Sequence, residues 1–200
     1  MKIATLGPQG TYSESAVQLL AQRYHSPNLE IIFTTINNAL KLVKNKQADF
    51  AVLPVENVID GFIGSSFDAL WEFGDWVKVF DQVHLPIAHV LAGKPGIDWT
   101  GVSKIYSHPS ALNQCQHKLA DFFPKADLIA LNSTAEAAQR VIHDVDRNSA
   151  AVCNRKIVKN QQLVAFDEEI QDFKNNETRF LVCSLKSSQP TGNDRTLLAV

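Results

Sequence analysis

The sequence predicts an α/β fold in two lobes, on three observations. Short apolar runs of strand length alternate with helical stretches from one end of the 200 residues to the other. Several helices open on a hydroxyl-bearing residue just after a strand. A long, mostly extended segment, Trp76 to Gly93, is broken only at Pro86 and reads as a passage out of one lobe and into another.

The first strand, Ile3 to Leu6, runs into Gly7, Pro8 and Gly10 and then into a helix with Ala16, Val17, Leu19 and Leu20 at helical spacing. The glycines permit a sharp turn and close approach of a ligand. Thr11 and Ser13 can cap the helix and place hydroxyls beside its unpaired amides, a pattern suited to an anion. Such a turn alone is equally an ordinary strand-to-helix connection. What favours a site is recurrence further along.

Leu29 to Phe33 reads as a strand, Ile36 to Lys44 as a helix with Leu40 and Val43 inward, and Asp49 to Val55 as a buried strand with Pro54 at its exit. Next comes ENVIDGFIG, Glu56 to Gly64, beyond the carboxyl end of that strand, where open α/β sheets bind ligands. In the crossing segment His84 and His89 stand among apolar neighbours, as hydrogen-bonded core or edge histidines do more often than metal ligands.

After a turn-rich loop, Lys104 to Tyr106 is a strand followed by Ser107, His108 and a helix from Pro109. Asp127 to Leu131 is another, followed by Ser133 and Thr134 at a third such helix start, with Glu136 in the first turn. Ala150 to Cys153 and Val164 to Phe166 are strands flanking a short helix at Arg155 to Lys159, and Thr178 and Arg179 precede a last apolar strand. This divides the chain into residues 1–78 and 79–164 as two lobes, 165–185 as a return segment, and 186–200 as a tail.

Hydroxyls and free amides distributed over both halves suit a ligand bearing carboxylates, and Arg179 could grip one in a two-pronged fork. With 19 basic and 21 acidic residues the net charge is −2, and no basic run suggests nucleic acid or an anionic membrane. The first residues lack the apolar run of a signal peptide and no stretch has membrane-spanning length, so a cytoplasmic location is expected. Cys115, Cys153 and Cys183 are too scattered for a disulfide framework or a zinc site and are expected as buried thiols.

Five motifs in order carry a family resemblance: Gly7, Pro8, Gly10, Thr11, Tyr12 and Ser13; Glu56, Asn57 and Gly61; Ser107, His108, Pro109, Ala111, Leu112, Gln114 and Cys115; Ser133, Thr134 and Ala135; and the triplet Thr178, Arg179 and Phe180. Together they resemble the catalytic domain of the prephenate dehydratases, over nearly the whole chain. The resemblance implies a fold like type II periplasmic binding proteins, with a ligand cleft between two α/β lobes. It implies the loss of carbon dioxide and water from prephenate to give phenylpyruvate, with no metal or organic cofactor, in a homo-oligomer. Thr178 becomes the donor to the departing hydroxyl, backed by Glu56 or His108 through a water. Thr11, Ser13, Asn57, Ser107, Ser133, Thr134, Arg179 and Phe180 become substrate-binding.

Val58 stands where the family usually places Ser or Thr. DRTLLAV, Asp194 to Val200, is similar to the opening strand of the phenylalanine-binding ACT domain, so this chain by itself is expected to be insensitive to phenylalanine. An arogenate dehydratase, a prephenate decarboxylase and a non-catalytic binder of small carboxylates remain alternatives on the same scaffold.

Overall fold

A computed structural model describes residues 1–192 and residue 194; the strand expected at 194–200 therefore lies outside the described residues, apart from Asp194. The first lobe contains β1 (Lys2–Leu6), α1 (Tyr12–Arg23), β2 (Glu30–Thr34), α2 (Ile36–Lys44), β3 (Phe50–Asn57), β4 (Gly61–Phe62), α3 (Gly64–Phe73) and β5 (Lys78–Pro86). The second contains β6 (His89–Gly93), β7 (Lys104–Ser107), α4 (Pro109–Gln114), α5 (Gln116–Phe122), β8 (Asp127–Ala130), α6 (Thr134–His143), β9 (Ser149–Asn154), α7 (Arg155–Asn160) and β10 (Val164–Asp167). The chain then returns to the first lobe as β11 (Glu177–Ser184).

The first sheet runs β2-β1-β3-β11-β5, with β4 paired to β3, and the second runs β10-β6-β9-β7-β8. The strands followed by helices, β1, β2 and β3, pair in parallel, as do β7, β8 and β9. Their carboxyl ends consequently point one way in each lobe, toward the helix starts. β11 enters antiparallel between β3 and β5, which puts Thr178 opposite Asn57 and Arg179 opposite Glu56.

Each sheet is covered on both faces, and strand alternation sorts the side chains. Val52, Phe180 and Val182 pack with Ile3, Val17 and Leu20 beneath α1, whereas Leu53, Leu181 and Cys183 pack with Leu40, Val43 and Phe73 on the side of α2 and α3. In the second lobe Val90, Tyr106 and Cys153 meet α6 and α7, and Leu91, Ile105 and Val152 meet α4 and α5. Burying one such aliphatic or aromatic side chain contributes about 1.5–3 kcal/mol, so both lobes have cores of their own.

The structure moves several boundaries. β5 belongs to the first sheet along its whole length, so the crossing falls at Ile87 and Ala88 rather than at residue 79. β10 pairs with β6 in the second sheet, which places the return at 168–176 rather than from 165. Pro54 lies inside β3 instead of ending it. The ladder with β11 shifts register there, between Arg179 and Phe180, and such a bulge accommodates a residue without an N–H. Helix α3, absent from the sequence reading, buries Ser66, Ala69 and Phe73 at helical spacing after an opening Gly-Ser-Ser that reads as loop.

Candidate functional site

The carboxyl ends of the parallel strands in the two sheets meet across a cleft that is closed at several points. At the glycine turn, Gly10 has φ +91°, and a Cβ on it would stand 3.2 Å from Ile157 and 3.5 Å from Ala135 of the opposite lobe. Only glycine suits both that backbone and that approach. Asn154 Nδ2 donates to Gly10 O (2.6 Å) while its Oδ1 caps α7 through Ile157 N.

The anion seated on this turn is the protein's own. Glu14 Oε2 accepts from Gly10 N (2.6 Å), and its Oε1 takes Gln18 Nε2 (2.9 Å) and, from the other lobe, Lys156 Nζ (2.8 Å). Thr11 does not cap α1 with its side chain; its hydroxyl donates to Pro8 O (3.0 Å). Ser13 is buried.

In the second lobe, Ser133 Oγ accepts from Glu136 N (3.0 Å), and Glu136 Oε2 accepts from Asn132 N (3.0 Å), a reciprocal arrangement that fixes the start of α6. Thr134 is buried in the first turn. Ser107 does not cap α4: its hydroxyl, fully buried, donates to Val152 O (2.7 Å), and the cap is His108, whose Nδ1 accepts from Ser110 N (3.3 Å). With Nδ1 accepting there, Nε2 is the nitrogen of His108 left to carry a proton.

Around Thr178 the structure builds a ring of hydrogen bonds. Asn57 Nδ2 donates to Thr178 Oγ1 (2.9 Å) and to Asn176 Oδ1 (2.8 Å). Asn176 Nδ2 donates to Gln114 Oε1 (2.7 Å), and Gln114 Nε2 donates to Asp60 Oδ2 (2.8 Å), which also accepts from the Ser110 hydroxyl. The ring closes where Asp60 N and Ile59 N donate to Asn57 Oδ1 (3.0 and 2.9 Å). Asn57, Gln114, Asn176 and Thr178 are all buried.

A second chain leaves Gln114. His89 Nε2 lies 2.9 Å from Gln114 Oε1 and its Nδ1 lies 3.1 Å from the Tyr12 hydroxyl, whose single proton lies between that nitrogen and Ala88 O (2.7 Å). Burial pushes the His89 imidazole below its ordinary pKa, against the opposing pull of Gln114 and the Asp60 charge, and burial raises Tyr12 well above its own. Both are neutral hydrogen-bonding groups near pH 7.

Arg179 points to the sheet face opposite Thr178, as neighbours in a strand must. Its guanidinium meets Glu56 Oε2 at 3.0 Å, and its buried Nε finds no acceptor among the described residues. Beside it His84 Nδ1 meets Glu177 Oε1 at 2.6 Å. Phe180 is 1% exposed inside the core under α1, so it anchors β11 and does not line the cleft. The three thiols are free and buried, with pKa values pushed up to about 12 by desolvation, which removes them as nucleophiles.

Of the residues singled out from the sequence, the structure brings Asn57 and Thr178 together and pairs Arg179 with Glu56; Asn176, Asp60 and Gln114, which join them, had been assigned no role. Asn176 immediately precedes the last strand and Gln114 belongs to a recognised motif; those placements were the available signals.

Two α/β lobes linked by two crossing segments, with helix starts and amides converging on the cleft, make this a protein of the type II periplasmic-binding-protein-like class. The prephenate dehydratase family model matches residues 3–188, and the chain belongs to that family. It is 36% identical to the bifunctional chorismate mutase/prephenate dehydratase of Neisseria gonorrhoeae over all of this chain and 54% of the relative. It is 30% identical to the prephenate dehydratase of Mycolicibacterium vanbaalenii over 97% of this chain and 65% of the relative. The crystal structure of prephenate dehydratase from Arthrobacter aurescens in complex with L-Phe superposes with a TM-score of 0.85 at 31% identity, covering 98% of this chain and 63% of that one. The chain spans about half the length of the bifunctional relatives it matches. Among the described residues no helix is long and apolar enough to cross a membrane, and no group of three or more His, Cys, Asp or Glu could hold a metal ion.

Proposed function

We propose that this chain is the catalytic part of a prephenate dehydratase, converting prephenate to phenylpyruvate on the route to phenylalanine. The observation that carries the reading is the Thr178 hydroxyl: its oxygen accepts from Asn57, and its proton has no protein acceptor among the described residues, which leaves it for a ligand in the cleft. In the reaction the ring carbon–carboxylate bond breaks, its electron pair enters the ring, and the carbon–oxygen bond on the far side breaks as carbon dioxide and hydroxide leave. Aromatisation drives the step. Thr178 stabilises the departing oxygen by a hydrogen bond that strengthens as negative charge grows, and solvent supplies the proton that completes water.

The substrate carboxylates fall to the Arg179 guanidinium, whose plane Glu56 fixes, and to the starts of α4 and α6 with Ser133 and Thr134. Glu56 Oε2 is the counter-ion of Arg179 and His108 Nδ1 caps α4, which leaves Glu56 Oε1 and His108 Nε2 to back Thr178 through a water. Ser107, Ser13 and Thr11 shape the strand ends and the turn. The enzyme acts in the cytoplasm as a homo-oligomer, which light scattering of the purified chain would test. The primary test is incubation with prephenate at neutral pH while following phenylpyruvate: its enzyme-dependent appearance is the expected result. Binding without turnover would make the chain a carboxylate-binding module, and carbon dioxide release with a retained hydroxyl would make it a decarboxylase.

A further inference from the structure

We propose that Asn176 is a positioning residue that holds the Thr178 proton toward the substrate. The inference rests on the dehydratase reading above, and it follows from the direction in which the buried ring must run.

Asn57 Oδ1 faces two backbone N–H groups, of Ile59 and Asp60, so the other edge of its amide is the NH2. The atom of Asn176 facing that NH2 is therefore its oxygen, and its own NH2 must face Gln114 Oε1. Gln114 then presents its NH2 to the Asp60 carboxylate, which can only accept. The protein thus has one donor direction around the ring, fixed at both ends by groups that cannot reverse. His89 fits the same scheme, because Gln114 Oε1 obliges its Nε2 to carry a proton.

The Asn57 NH2 has two hydrogens and three acceptors within reach: Asn176 Oδ1 (2.8 Å), Thr178 Oγ1 (2.9 Å) and Glu177 O (3.2 Å). Asn176 takes one hydrogen and thereby aims the other at Thr178. With that hydrogen aimed at its oxygen, the Thr178 O–H is turned away from Asn57 and is left for an acceptor in the cleft. Without Asn176 the amide is free to turn to Glu177 O, and the Thr178 hydroxyl can rotate its lone pair toward the departing oxygen, the wrong polarity for stabilising hydroxide. The ring also joins the lobes, since Gln114 and Ser110 lie on α4 of the second while Asp60 and Asn57 belong to the first. Gln114 of the second lobe thus steadies the Asn176 amide in the direction that Asn57 already sets.

The test is Asn176→Asp. Its carboxylate keeps an acceptor for Asn57 but sets a second acceptor against Gln114 Oε1. That repulsion moves the side chain out of the ring and off the Asn57 amide, whereas its neutral acid can donate to Gln114 and still accept from Asn57. At neutral pH kcat should fall by roughly tenfold or more, with KM little changed, and should recover as the pH is lowered through the carboxyl's ionisation. Asn176→Leu should show the same loss without recovery. Adding Asn176→Asp to Thr178→Ala should cost nothing further, because the effect passes through a hydroxyl already removed. Parent-like turnover in Asn176→Asp, the same pH profile as the Leu variant, or a further drop in the double variant would overturn the proposal. Asp60→Ala, made at an exposed loop, opens the same ring should the buried variants not fold, and must lower kcat in the parent but not in Thr178→Ala.

A parent protein that forms no phenylpyruvate would refute the dehydratase reading and with it the catalytic role of Asn176. The ring polarity would still be decided by melting. The buried carboxyl introduced by Asn176→Asp would have a raised pKa when folded, so stability relative to the parent would be full at low pH and decline as pH rises from about 3.9 through the raised folded value. A pH-independent difference would exclude the ring as drawn.

Discussion

Asn57 and Thr178 stand opposite each other at the paired ends of β3 and β11, and the amide of one donates to the hydroxyl of the other across 2.9 Å. The pairing occupies one lone pair of Thr178 and turns its O–H away from Asn57. Thr178→Ala should therefore lower kcat by about a hundredfold while leaving KM near the parent value, and Thr178→Ser should retain most of the activity. Steady-state kinetics on prephenate decides it; an unchanged kcat in the Ala variant removes Thr178 from the chemistry.

Arg179 keeps its charge in Arg179→Lys but loses the flat fork held by Glu56. KM for prephenate should rise about tenfold, equivalent to about 1.4 kcal/mol of binding, with kcat less affected. If the Lys variant binds as the parent does, the carboxylates are held by the helix starts alone.

Much of this was legible in the sequence. The strand and helix alternation gave the two lobes, and hydroxyls at strand ends marked the cleft. What the chain order could not show was the sharing of those hydroxyls. Ser107 and Ser133 follow strands in the same way, yet one donates into its own sheet and the other caps a helix. Phe180 looked like part of a functional triplet because it adjoins Thr178 and Arg179, but two residues further into β11 the same face is already core. Asn57, Gln114 and Asn176 lie far apart in sequence and meet only because β11 returns to the first sheet while α4 closes from the second.

Gly10→Ala would force a side chain into a left-handed backbone and against Ile157. A cost of about 1–2 kcal/mol is expected from the backbone alone, lowering Tm by about 2–8 °C in a domain of this size. The added methyl would also hold the lobes apart at Asn154 and Lys156, so small-angle scattering should report a larger particle and KM should rise.

His89 has its folded pKa below the unfolded value of about 6.5, because burial disfavours its charged form. As pH falls through that value the unfolded chain takes up a proton before the folded protein does. Stability should therefore decrease on acidification from about pH 6.5 downward. Thermal melts over this range should show the slope in the parent and its reduction in His89→Gln; equal slopes would mean another group is responsible.

The place of β11 between β3 and β5 imposes an order on synthesis. Residues 89–167, the strands and helices of the second lobe, leave the ribosome as one uninterrupted block, whereas the first sheet lacks the strand between β3 and β5 until residues 177–184 have been made. Until then β3 and β5 each present an open hydrogen-bonding edge. The inserted lobe can therefore be complete while the lobe that begins the chain is still waiting, and a nascent chain stalled before Glu177 would carry a finished half beside a sheet from which β5 is still detached.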